Sequence, residues 1–119
     1  MKLASRALVT ATIVGTVLQL AMVTLGHRDL AIAGLFAPLG IGLSFVAGVL
    51  YAVLSTEVIL RDNVVGGLIA GAVCAFIGIA VSCVLHDVTP VVLLYGTLTS
   101  AVGGAIGGAV GRLFSSGRV

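Results

Sequence analysis

The chain has 119 residues, of which 60% are hydrophobic and 8% charged, and its formal net charge is +2. Soluble domains carry charge on roughly a quarter of their residues, so an ordinary water-soluble domain is excluded. The six basic residues are scattered along the chain and form no cluster, so nucleic acid is not an expected partner.

The composition predicts an all-α integral membrane protein with four transmembrane helices. A hydrocarbon core of about 30 Å needs about twenty apolar residues per helix. Four apolar runs meet that length, at 7–26, 30–60, 64–85 and 90–113. The connections between them are a few residues each, so a single transmembrane domain covering 1–119 is expected, with membrane lipid as its surroundings.

The first run follows Lys2 and Arg6, and Thr24 and Gly26 are small enough to flank a cleavage site. Its apolar length exceeds the roughly 7–15 residues of a signal-peptide core, so it reads as a spanning helix.

The second run is long: as one helix it would measure about 46 Å at 1.5 Å per residue. It must tilt, break or begin late. Pro38 lacks the N–H that would bond to Gly34 and disfavours a helical residue before it. A break there is one reading, and interrupted helices build substrate sites in many transporters. Gln19, Thr16, Ser44, Tyr51 and Tyr95 are the polar side chains that could face such a cavity. Near the end of this run Glu57 precedes Arg61 by four, the favourable order for a helical ion pair.

Small residues recur at intervals of four in three of the runs. Gly40, Ser44, Gly48, Ala52 and Thr56 do so in the second, and Gly67, Gly71 and Ala75 in the third, followed by Gly78 and Ser82. In the fourth, Gly96, Ser100, Gly104 and Gly108 form one ridge, with Gly103, Gly107 and Gly111 beside it. No Lys and Ser/Thr follow in P-loop order, so a phosphate cradle is excluded. Lipid offers little hydrophobic drive between helices, and close approach of backbones through small residues takes its place. The ridges therefore predict tight helix packing, within the chain or between chains, and a four-helix bundle is expected to leave part of the fourth helix's surface for a partner.

Polar chemistry is sparse. All four acids, Asp29, Glu57, Asp62 and Asp87, fall at or near the ends of the runs. His27, Asp29, His86 and Asp87 are expected at the same outer face. They could cap their helices or, if the turns are neighbours, ligate a metal. Cys74 and Cys83 stand nine positions apart on one helix, about 13.5 Å along its axis, too far to bridge each other. No nucleophile sits beside a base, so neither catalysis nor a cofactor is expected.

Lys2, Arg6, Arg61, Arg112 and Arg118 fall on one side of the predicted topology and Arg28 alone on the other. The positive-inside rule then predicts a plasma (inner) membrane of bacterial type with both termini cytoplasmic. A His and an Asp at both outer turns also hint at two duplicated hairpins, related by an axis along the membrane normal.

The stretch GGAIGGAVGRLF, residues 103–114, is similar to a glycine-rich, arginine-ended segment of small fluoride channels. There it lies near the chain start, and the pore asparagine of that family has no match here, so no family is assigned. The functional expectation is a glycine-rich accessory subunit or homo-oligomer acting through helix contact. The alternative is a small channel or transporter for a neutral or weakly polar solute.

Overall fold

A computed structural model describes residues 5–29, 36–55, 59–86 and 89–116. The chain is all-helical: α1 (Ser5–Arg28), α2 (Phe36–Leu54), α3 (Leu60–Val84) and α4 (Val91–Ser116). Among the described residues α1, α3 and α4 are long and apolar enough to cross a membrane, while the apolar stretch of α2 is shorter, Pro38–Leu54. The bundle is 45 Å long and 23 by 19 Å across, and its length is comparable with a bilayer including headgroups, about 40–45 Å.

The second apolar run does not continue to residue 60. α2 ends at Leu54, and Ile59, extended at φ −79 and ψ 124, is the N-cap of α3. Ending early removes the excess length that a single helix over 30–60 would carry. Arg61, Asp62 and Asn63, expected in a connection, instead occupy the first turn of α3. An acidic residue there faces the partly positive helix N-terminus, which favours it. Asn63 donates from Nδ2 to the Ile59 carbonyl at 3.1 Å.

Within the described residues α2 is unbroken at Pro38, which lies in its first turn. The missing N–H costs nothing there, because first-turn N–H groups have no helical partner. Gly34 lies outside the described residues.

α2 and α3 pack on each other, and both pack on α1 at one side and α4 at the other, whereas α1 and α4 barely meet. This arrangement overturns the parallel duplication. A two-fold axis exchanging α1 with α3 and α2 with α4 would make the α1–α4 relation equivalent to the α2–α3 relation, and only the second pair is packed.

Candidate functional site

The helix-packing residues come first because glycine makes their contacts geometrically possible. On α4, both ridges face inward. Gly96 stands against Ile79, and Ser100 and Gly104 lie against Gly71 of α3; a Cβ added at Gly71 would fall 2.9 Å from both the Ser100 carbonyl oxygen and the Gly104 Cα. A Cβ at Gly67 or Gly48 would meet the Gly104 carbonyl oxygen, one at Gly104 the Gly67 carbonyl oxygen, and one at Gly108 the Asn63 carbonyl oxygen.

The second ridge faces α2. Gly103 lies against Ile41, with 3.1 Å from its added Cβ to Cγ2. Gly107 lies against the Phe45 carbonyl, and Gly111 against Val49 and Ala52, 2.8 Å from the Ala52 Cβ. Ser100, Gly103, Gly104, Gly107, Gly108 and Gly111 are all buried within the one chain. The smooth surface expected to remain on α4 for a partner is therefore filled by α2 and α3.

The ridge on α2 is divided among three neighbours. Gly40 and Ser44 meet Gln19 of α1, Ser44 also reaches α3, and Gly48 meets α4. Four residues turn a helix by about 400°, so such a ridge drifts about 40° per step and leaves one neighbour for the next.

Where α1, α2 and α3 converge, the interior is polar. Gln19 donates from Nε2 to the Gly40 carbonyl at 3.1 Å and to the Ser44 hydroxyl at 3.3 Å. The Ser44 hydroxyl donates in turn to the Gly71 carbonyl at 3.3 Å. Cys74 lies beside them and donates from Sγ to the same carbonyl at 3.3 Å. Gln19 is 2% exposed, and Ser44 and Cys74 are fully buried. A buried amide or hydroxyl without a partner is costly, so a connected chain of donors and acceptors is what this interior requires. It also ties three helices to one another. Gly78, whose added Cβ would stand 2.9 Å from the Gln19 Cβ, makes room for the stem of that side chain.

Tyr51, also fully buried, lays its ring where a Cβ on Gly66 would be. Tyr95, by contrast, is 63% exposed on the outer face of α4. The polar residues offered by the sequence for a cavity are therefore separated: Gln19, Ser44 and Tyr51 are packed inside, Thr16 is half-buried with its hydroxyl unpartnered among the described residues, and Tyr95 is outside.

At the opposite end of α3, Asp62 is 1% exposed. Among the described residues its Oδ1 has no hydrogen-bond partner, and it stands 3.9 Å from Nε of Arg61, whose side chain is 70% exposed. Glu57 lies outside the described residues, and with it the expected Glu57–Arg61 pair.

His27 lies in the last turn of α1 and Asp29 just beyond it, and His86, two residues past the end of α3, has a left-handed φ of 62. Its N–H bonds to the Cys83 carbonyl at 3.1 Å, closing the helix terminus in a position that glycine usually takes. Among the described residues no three His, Cys, Asp or Glu side chains come together as a metal group. Asp87, the fourth member of the expected cluster, lies outside the described residues.

The sequence reading missed one ridge. Ala7, Ala11, Gly15, Gln19 and Val23 of α1 step by four and are all buried. The added Cβ of Gly15 would lie 3.0 Å from both the Ala47 Cβ and the Cys74 Sγ. A glutamine inside a run of alanine and glycine hides the pattern from a search for small residues alone.

No protein-family profile, curated protein or solved structure matches this chain.

Proposed function

We propose that the chain is a non-catalytic, multi-pass membrane protein that works through helix contact, either as an assembly subunit of a membrane complex or by self-association. It lies in a plasma membrane of bacterial type with both termini cytoplasmic, the orientation favoured by five of its six basic residues.

The observation that carries this reading is the closed bonding of Gln19 and Ser44 where α1, α2 and α3 meet. A solute path would need side chains free to exchange partners, whereas Gln19 and Ser44 bond to each other and to backbone carbonyls of α2 and α3. What the bundle offers outward is apolar: Val9, Ile13 and Val17 on α1, and Leu98, Val102 and Ile106 on α4, are each more than half exposed. Since α4's glycines are engaged inside the chain, partner contact falls to these outer faces.

Extraction from native membranes in mild detergent, followed by chemical crosslinking, tests the proposal. The expected product is a complex of fixed stoichiometry that Val102→Arg with Ile106→Arg on α4 or Ile13→Arg on α1 disperses. Monomer under every condition would contradict it.

A further inference from the structure

We draw no further inference here: the strongest candidate, the apolar groove of about 420 Å³ between α1 and α2 lined by Leu18, Met22, Leu25, Pro38, Gly42 and Val46, carries none because nothing in the structure shows what covers it.

Discussion

Glycine has two different roles in this chain, and substitution separates them. At Gly71 the missing Cβ lets α3 and α4 touch backbone to backbone, so Gly71→Ala forces the helices apart. Overpacking of this kind costs about 1–3 kcal/mol. Gly42→Ala meets open space and should gain up to about 1 kcal/mol from helix propensity. Denaturant titration in bicelles should move the two midpoints in opposite directions; a shared direction would refute the assignment. Gln19 and Ser44 make a second pair. Each of Gln19→Leu and Ser44→Ala should cost about 1 kcal/mol, the scale of hydrogen bonds between helices in a bilayer. The double variant should lose less than the sum, because both singles remove the same Gln19–Ser44 bond. His86 holds a left-handed backbone at which a non-glycine residue stores about 1–3 kcal/mol. His86→Gly should therefore raise stability, and a lower unfolding midpoint would show that the imidazole has a compensating contact.

At the level of elements, the step of four in residues 96–111 sets these glycines on shared helix faces, because residues four apart share a face whatever surrounds the helix. Which helix each ridge meets is not legible locally. Crossing helices and the drift of the ridge send Gly96, Ser100, Gly104 and Gly108 chiefly to α3, and Gly103, Gly107 and Gly111 to α2. The start of α3 is hidden for another reason. Ser55 and Ile59 offer no glycine or proline to mark a turn, while the charged Arg61 and Asp62 look like a connection and are a helical first turn. The contacts set α2 and α4 parallel, with Ile41 beside Gly103 and Ala52 beside Gly111. In a chain cleared of its own thiols by Cys74→Ala and Cys83→Ala, Ala52→Cys with Gly111→Cys should form a disulfide on mild oxidation. Val9→Cys with Leu113→Cys should not, because α1 and α4 are the separated pair. Bridging of the second pair alone would require a different packing order.

For the whole molecule, composition alone anticipates a helical, membrane-type chain, since 8% charged residues cannot cover a water-exposed surface. The internal order of the bundle emerges only in three dimensions. Gln19 meets Ser44 and Cys74 from positions 25 and 55 residues away, and no periodicity along one helix encodes such a meeting. The result is a bundle whose fourth-helix glycine ridges and Gln19–Ser44 pair point inward, while many large apolar residues point outward; the contact role is proposed on that basis. The most direct test is to purify the chain from its native membrane in mild detergent, weigh the intact assembly and identify its components by mass spectrometry. The account predicts a defined complex, with other membrane subunits or further copies of the chain at fixed stoichiometry, and no solute flux when the chain alone is placed in liposomes. A monomer that conducts a solute by itself would contradict it.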